Sequence, residues 1–294
     1  MEAEKGGQDM SEKCYRKEVI TCFGMPIDEN PTVVVMDAAF RKMGLDYIYN
    51  GSLVYPEDLE MAVKALKALH LKGSHVTVPH KIAVMKYLDA IDPDAALIGA
   101  VNTIYMKDGK TCGANTDGKG FLVSLREAGM KPKGKTFAIL GAGGAARALS
   151  VELALAKAKK ITIVNRTYEK AEALAKLISE KAETEAGATA WTGPYSVPAD
   201  VDFLINCTNI GLRPDPNVPS VDFSSFRPEL IVCDVVPNPP HTRFLKQAEA
   251  RGCRTFDGLS MLINQAIISI RCWTGMAAPA DVMKRALAAE FSGE

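Results

Sequence analysis

A glycine-rich turn between an apolar run and a helical stretch constrains the fold of this chain more than any other feature. Residues 136–140 are mostly apolar, and the next six residues fit the pattern G-x-G-x-x-A: Gly141, Ala142, Gly143, Gly144, Ala145 and Ala146. In such a turn the first glycine permits a tight bend, the second leaves room for a pyrophosphate, and the small last residue lets the helix pack closely on the strand. The start of the helix offers unpaired N–H groups to phosphate. The turn therefore predicts a dinucleotide site, with a plain strand-to-helix turn as the alternative.

The segments around this turn alternate between strands and helices. Short apolar runs predict strands, and longer stretches with apolar residues at helical spacing predict helices. The order is strand 136–140, helix 145–156, strand 161–164, helix 169–181, and strands 203–206 and 231–235. This order predicts a parallel, doubly wound, Rossmann-like sheet.

The end of the second strand bears on the choice between NADP and NAD. An NAD site usually has an acidic residue there for the ribose 2′-hydroxyl, whereas this strand ends in Asn165, Arg166 and Thr167, with Lys170 one turn on. A guanidinium group suits a 2′-phosphate, which a carboxylate would repel. We therefore predict NADP, with NAD as the alternative if Arg166 is an ordinary exposed residue. The cofactor-binding residues predicted in the turn and the second strand are Gly141, Gly143, Gly144, Ala145, Asn165, Arg166 and Thr167.

The first half of the chain has a different α/β pattern, which predicts a second domain. It contains a predicted helix at 33–43, a helix from Pro56 with apolar residues at helical spacing, and a hairpin around Asp108 and Gly109. A chain of 294 residues is long enough for two domains. We predict an α/β substrate-binding, catalytic domain at 14–118 and a dinucleotide-binding domain at 119–258, with C-terminal helices in 259–294 packing back.

Charge and cysteine content exclude several classes of partner. The 35 basic and 35 acidic residues balance, so no overall field favours nucleic acid or an anionic membrane. The seven cysteines are scattered without CxxC spacing, which argues against a disulfide framework or a zinc site. No signal segment is apparent, and no apolar run approaches the roughly 20 residues of a membrane span. We expect a soluble, cytoplasmic protein with a small-molecule partner and no metal, either a monomer or a homodimer.

Six further segments are hard to explain by the fold alone. They are VTVPHK at 76–81, IGAVNT at 98–103, NTDG at 115–118, NCT at 206–208, DVVPNP at 234–239 and DGLSML at 257–262. In this order they closely resemble the shikimate dehydrogenase family, which includes the quinate/shikimate dehydrogenases. The resemblance runs from about residue 24 to residue 275.

The resemblance implies that Lys81 and Asp117 form a catalytic pair between the two domains. Removal of hydride from a carbinol carbon requires loss of the hydroxyl proton, so a proton-shuttling group must lie within hydrogen-bond reach. A lysine held by a carboxylate can take that position. Without the surrounding motifs, both residues would be interpreted as solvated surface.

The resemblance also implies binding residues. Thr77, Asn102 and Gln265 would bind the ring hydroxyls of the substrate, since each is a neutral donor and acceptor. Asn206 and Thr208 would flank the cofactor, and Gly258 would leave space for the nicotinamide ring. For Asn102 a local turn hydrogen bond is the alternative.

The chain departs from the family at the substrate carboxylate. Two serines that bind it in the family correspond here to Asn30 and Thr32, which follow Asp28 and Glu29. Acidic groups near an anionic substrate weaken its binding unless they point away. The asparagine of the family's NVT is His75, and the tyrosine of its VVYNP is Pro237. We therefore hypothesise a substrate other than shikimate, such as quinate, another cyclic polyol or a hydroxy acid.

Three functions remain open from the sequence. The first is an NADP-dependent dehydrogenase that moves hydride reversibly between the nicotinamide and a ring hydroxyl or ketone of the shikimate or quinate type. The second is a ligand sensor with the same fold, which has no need of a proton-shuttling pair. The third is a Rossmann enzyme of unrelated chemistry, such as a methylenetetrahydrofolate or glutamyl-tRNA reductase.

Overall fold

The computed structural model describes residues 15–182 and 184–292. Cys14, the predicted start of the first domain, and the last two residues of the predicted C-terminal segment lie outside the described residues. In the first half the elements are β1 (Glu18–Gly24), α1 (Thr32–Met43), β2 (Tyr47–Leu53), α2 (Leu59–Ala68), β3 (Gly73–Val76), β4 (Ala90–Ile91), α3 (Pro93–Ile98), β5 (Thr103–Lys107), β6 (Lys110–Ala114) and α4 (Asp117–Glu127).

The strands of the first half form one mixed sheet in the order β2-β1-β3-β5-β6-β4. β1 runs parallel to both β2 and β3, whereas β5 is antiparallel to β3 and β6. The predicted hairpin is confirmed: β5 and β6 are joined through Asp108 and Gly109, whose φ angles are 50° and 72°. Two successive positive φ angles match the twist of a two-residue hairpin turn, and Asp-Gly tolerates them.

Helices cover both faces of this sheet. Ile20 and Phe40 pack with the C-terminal helices on one face, and Leu59 and Leu66 of α2 pack with Val76 on the other. The apolar residues at helical spacing that predict α2 include Leu69, one residue beyond the end of the helix. Leu69 follows the last helical residue and is exposed, because α2 ends at Ala68.

The second half contains the predicted Rossmann-like unit. Its elements are β7 (Thr136–Leu140), α5 (Gly144–Leu155), β8 (Lys160–Asn165), α6 (Tyr168–Ala182), β9 (Glu185–Ala190), β10 (Tyr195–Ser196), β11 (Phe203–Asn206), β12 (Val221–Asp222), β13 (Ile231–Asp234), α7 (Arg243–Glu249) and β14 (Arg254–Phe256). Six strands form a parallel sheet in the order β14-β13-β11-β7-β8-β9. The strand order reverses beside β7, which places a crevice at the carboxyl ends of β7 and β11. The predicted α/β fold class is confirmed.

The central strands of this sheet are buried on both faces. Every residue of β7 and β11 is buried, as expected for a parallel sheet with helices on each side. One core forms between the sheet and helices α4, α5 and α6, and a second core lies under α7.

Two helices, α8 (Leu259–Thr274) and α9 (Ala280–Glu290), follow the parallel sheet and return to the first half. α8 also lies against α4, where a Cβ on Gly120 would come 2.7 Å from the backbone nitrogen of Gln265. We propose that α8 and α9 belong to the substrate-binding domain. The predicted boundary at residue 118 falls inside α4, so a helix rather than a loop leads from one half to the other. Among the described residues, no helix combines the length and apolar character that a membrane span requires.

Candidate active site

The Lys81 and Asp117 side chains meet in a direct ion pair. Lys81 Nζ lies 2.6 Å from Asp117 Oδ2, and the two side chains are 16% and 7% exposed. Lys81 follows β3, and its carbonyl accepts a hydrogen bond from the Val101 amide at 2.7 Å. Asp117 is the first residue of α4, where its own amide donates to Asn115 Oδ1. Both members of the pair lie within residues 14–118, the range predicted for the first domain.

Asn102 holds the other oxygen of the aspartate. Its Nδ2 donates to Asp117 Oδ1 at 2.8 Å, and its Oδ1 accepts from the Thr116 amide at 2.8 Å. Gln265 of α8 joins the cluster, with Oε1 3.4 Å from Asn102 Nδ2. The structure thus brings together four predicted site residues and gives Asn102 a second role, because it fixes the Asp117 carboxylate.

Thr77 directly follows β3. Its amide donates to the Phe23 carbonyl at 2.8 Å. Its methyl group lies so close to Gly24 that a Cβ there would come within 2.5 Å. This close approach explains the glycine at the end of β1 and holds Thr77 beside the segment that carries Lys81.

The glycine turn lies directly against Lys81. A Cβ on Gly144 would come 2.8 Å from Lys81 Cβ, so the lysine stem packs on the start of α5. Gly141 has a φ of +106°, a value that favours glycine. A Cβ on Gly143 would meet no atom within 4 Å, so the backbone there faces open space. The arrangement leaves room for phosphate at the helix N-terminus.

A groove of about 470 Å³ extends from this turn along the end of β8. Four of the predicted cofactor-binding residues line it: Gly143, Asn165, Arg166 and Thr167. The other lining residues were not predicted to bind, and they are Ile82, Ala142, Arg147, Glu169, Lys170 and Ala173. Asn165 Nδ2 donates to the Thr167 carbonyl at 2.8 Å and shapes the turn after β8. Arg166 and Lys170 are exposed, and neither forms an ion pair with another described residue. Besides Arg147, two cations without an ion pair to a described residue thus line the groove.

Arg147, in the first turn of α5, is a groove residue that the sequence argument missed. Its Nε donates to the Ile98 carbonyl at 2.7 Å, so the side chain joins the two halves of the chain. Burial lowers the pKa of Arg147 from its usual value. The sequence signal that could have identified Arg147 is a basic residue in the first turn of the helix that follows the glycine-rich turn.

Asn206, predicted to flank the cofactor, forms hydrogen bonds within the protein. Its side chain is fully buried, and Nδ2 donates to Asp234 Oδ1 at 3.0 Å while Oδ1 accepts from the Thr208 hydroxyl at 2.7 Å. Burial raises the pKa of Asp234 to about 7, against the effect of its hydrogen bonds. Asn206 therefore positions the loop that carries Thr208 and connects the ends of β11 and β13.

Gly258 also has a structural reason to be glycine. A Cβ there would lie 2.9 Å from the carbonyl oxygens of Val235 and Val236. The missing side chain therefore lets the start of α8 approach the segment after β13. This packing requires a glycine whether or not the nicotinamide ring lies beside it. Within residues 15–182 and 184–292, no three or more His, Cys, Asp and Glu side chains are grouped as metal ligands.

Asn30 and Thr32, predicted to bind a substrate carboxylate, bind each other. Asn30 Oδ1 accepts from the Thr32 amide at 3.0 Å and from the Thr32 hydroxyl at 2.6 Å. This turn leads into α1, which begins at Thr32. The two residues lie together in this turn, and the Thr32 hydroxyl donates its proton to Asn30.

Three family models match the chain. The shikimate dehydrogenase substrate-binding domain matches residues 22–104, the shikimate/quinate 5-dehydrogenase model matches 125–209, and the shikimate 5′-dehydrogenase C-terminal domain matches 258–288. Together the matches span both halves of the chain and the returning helices.

Individual proteins are similar over nearly the whole length. The shikimate dehydrogenase (NADP(+)) of Desulforamulus reducens is 41% identical over 278 residues, 92% of this chain and 95% of that protein. The ligand-free crystal structure of 5-ketofructose reductase from a Gluconobacter strain has a TM-score of 0.84 at 47% identity, covering 95% of this chain and all of that one. A shikimate dehydrogenase in complex with NADP+ has a TM-score of 0.85 at 42% identity, with 94% and 96% covered. The chain belongs to the shikimate dehydrogenase family.

Proposed function

We propose that this protein is an NADP-dependent oxidoreductase of the shikimate dehydrogenase type, which transfers hydride reversibly between the nicotinamide and a hydroxyl-bearing ring carbon. The observation that carries the proposal is the partly buried Lys81–Asp117 pair at 2.6 Å, directly beside the glycine turn. A sensor would have no use for such a pair at that place.

The residues of the chain perform the proton chemistry. Lys81 Nζ donates a proton to the carbonyl oxygen as a ketone is reduced and takes it back as the alcohol is oxidised. Asp117 Oδ2 holds Nζ in place, and Asn102 keeps that carboxylate oriented through its other oxygen. When bound, NADP supplies the hydride acceptor for the alcohol and, in its reduced form, the hydride donor for the ketone.

The cofactor side of the cleft fits NADP. Open space above Gly143 leaves room for the pyrophosphate at the N-terminus of α5. Arg166 and Lys170 line the same groove without a carboxylate partner among the described residues. A 2′-phosphate needs such a cation, and the curated relatives that bear the name shikimate dehydrogenase (NADP(+)) support the choice.

The Arg166→Ala variant tests this choice of cofactor. Loss of the guanidinium should weaken NADPH binding by about 10- to 100-fold, because a charge-assisted hydrogen bond to the 2′-phosphate is lost. NADH has no 2′-phosphate, so its weaker binding should stay unchanged. Fluorescence titration of both nucleotides measures the two dissociation constants. Lys176→Ala, an exposed cation farther along α6, is the control, and an equal loss for NADPH and NADH would contradict the assignment.

A spectrophotometric screen tests the activity itself. We expect NADP+ reduction, well above NAD+ reduction, with at least one of shikimate, quinate and a set of neutral cyclic polyols, and NADPH oxidation with a matching ketone. The 47% identical 5-ketofructose reductase adds 5-ketofructose, a neutral ketose, to the ketones tested. Binding of NADPH and of a panel compound without any turnover would instead favour the sensor.

We also propose a reducing, cytoplasmic location and only small-molecule partners, with the chain acting as a monomer or a homodimer. The described cysteines are free, and five of them are buried. Free, buried thiols suit a compartment in which cysteines stay reduced. The balanced charge supports the exclusion of nucleic acid and membranes as partners.

A further inference from the structure

We propose that Arg147 binds the pyrophosphate of the cofactor and links that contact to the segment that holds the catalytic pair. The inference rests on the proposed function, because the anion assigned to Arg147 is part of NADP or NAD. Arg147 then adds a charged side chain to the backbone amides of the glycine turn. It also gives the first half of the chain a part in cofactor binding.

Arg147 lies beside the glycine turn, where the pyrophosphate is expected. It is in the first turn of α5, and its amide donates to the Gly143 carbonyl at 2.9 Å. Both residues line the groove of about 470 Å³. A Cβ on Gly143 would meet no atom within 4 Å, so the space in front of the turn is open. A pyrophosphate at the N-terminus of α5 would occupy that space, within the part of the groove that Arg147 lines.

The guanidinium group of Arg147 has a positive charge that the protein does not balance. The side chain is half-buried, and its Nε donates to the Ile98 carbonyl at 2.7 Å. Nη1 and Nη2 donate to no atom of the described residues, and no carboxylate among them pairs with the group. Burial lowers the pKa of Arg147, and no neighbouring acid offsets that effect. Because a partly buried cation is stabilised by an anion, the group is suited to bind phosphate.

The end of α3 holds this guanidinium group in place. A Cβ on Gly99 would come 2.5 Å from Arg147 Nη2 and 3.2 Å from Cζ, so the group packs directly on this glycine. Ile98 is the last residue of α3, and carbonyl groups at a helix C-terminus attract cations. The side chain is therefore ordered before a ligand binds, which lowers the entropic cost of binding an anion.

The charges along the groove match the two anionic positions of NADP. Arg147 lies at the glycine-turn end, and Arg166 and Lys170 lie after β8, where the ribose is expected. Glu169 is the acidic residue among those that line the groove, so three cations face one carboxylate. NADP has negative charge on its pyrophosphate and on its 2′-phosphate, whereas NAD has only the first. Arg147 therefore serves the anion that both cofactors share.

The segment 98–102 connects the groove to the catalytic pair. The carbonyl of its first residue accepts the hydrogen bond from Arg147. The Val101 amide donates to the Lys81 carbonyl at 2.7 Å, and the side-chain amide of the last residue donates to Asp117 Oδ1 at 2.8 Å. A displacement of this segment would move both members of the pair. Small displacements of reacting groups slow the chemical step, so Arg147 is a positioning residue as well.

Substitutions separate the charge of Arg147 from its hydrogen bond. The Nε2 of glutamine lies at the same position along the side chain as the Nε of arginine, so Arg147→Gln keeps a donor for the Ile98 carbonyl and loses the cation. Methionine has a methyl group at that position, so Arg147→Met loses both. Arg285→Gln, at an exposed position of α9, is the matched control for the loss of one positive charge.

Nucleotide binding tests the assignment to the pyrophosphate. Arg147→Gln should weaken NADPH and NADH alike, by about tenfold, and Arg147→Lys should restore part of the loss. Fluorescence titration measures both dissociation constants without turnover, and Arg285→Gln should leave them unchanged. A loss for NADPH alone would assign Arg147 to the 2′-phosphate and overturn the inference. Unchanged binding of both nucleotides would also overturn it, because Arg147 would then only join α5 to α3.

Turnover tests the link to the catalytic pair. At saturating NADPH and ketone, Arg147→Gln should retain kcat within about twofold, whereas Arg147→Met should lower it by about tenfold. Equal kcat values for the two variants would overturn the link. The binding test requires only the glutamine variant, so it stands even if Arg147→Met does not fold. Equal weakening of NADPH and NADH in an enzyme that turns over no compound of the screen would refute the proposed function and support the assignment of Arg147.

Discussion

Replacing Lys81 by methionine should lower kcat by about 100- to 10,000-fold, the contribution of a positioned acid–base group, while the NADPH dissociation constant changes little. Methionine keeps an unbranched stem against Gly144, where the lysine stem now packs. It removes the ammonium group that pairs with Asp117 at 2.6 Å. Stopped-flow oxidation of NADPH and a fluorescence titration separate the chemical step from cofactor binding.

Lys86→Met is the matched control for Lys81→Met. Lys86 lies five residues farther along, over the Tyr87 ring and away from Asp117. Its replacement should leave kcat unchanged. If Lys81→Met retained ordinary turnover, the Lys81–Asp117 pair would be structural, and the proton would have to reach the substrate by another route.

The substitution Gly73→Ala should destabilise the fold strongly, although it adds only one methyl group. The added Cβ would lie 2.1 Å from the Ile104 carbonyl oxygen and 2.5 Å from Trp273 Nε1. These two atoms form a 2.8 Å hydrogen bond, which the methyl group would separate. Overpacking and a lost buried hydrogen bond together should reduce the free energy of unfolding by about 3–5 kcal/mol. Thermal unfolding should then occur about 10 °C lower.

Gly187→Ala is the control for this effect. Gly187 lies in the edge strand β9, where a Cβ would meet no atom within 4 Å. Its replacement should change stability by less than about 0.5 kcal/mol. Equal unfolding temperatures for the two variants would mean that the contact between β3 and α8 relaxes without cost.

The central part of the Rossmann-like sheet was predictable because its strands are uniformly apolar. β7 and β11 are buried on both faces and stand out as short apolar runs. The edge strands β9 and β14 were missed. β9 consists of small and polar residues, and β14 has only three residues, so neither carries the apolar signal that predicts a strand.

The site was predictable only in part. Motifs around Lys81 and Asp117 indicated the catalytic residues, but their direct ion pair depends on packing between segments that are distant in sequence. The hydrogen bond between Tyr49 Oη and His75 Nδ1 joins β2 to β3 across β1, so it depends on the register of three neighbouring strands. No local pattern encodes that register. The sequence also could not show the hydrogen bond between Asn206 and Asp234, because it depends on which strands are neighbours in the sheet.

The stem of Lys81 touches the glycine turn, yet its ammonium group is held by a carboxylate from its own half of the molecule. A rotation that widened the cleft would lift the lysine from Gly144 and leave the ion pair intact. The Lys81 ammonium group would stay paired with Asp117 between turnovers, while its distance from the nicotinamide changed. The half that holds the ion pair and the half that carries the glycine turn can therefore change in sequence separately, as long as the contact between Lys81 and Gly144 is kept.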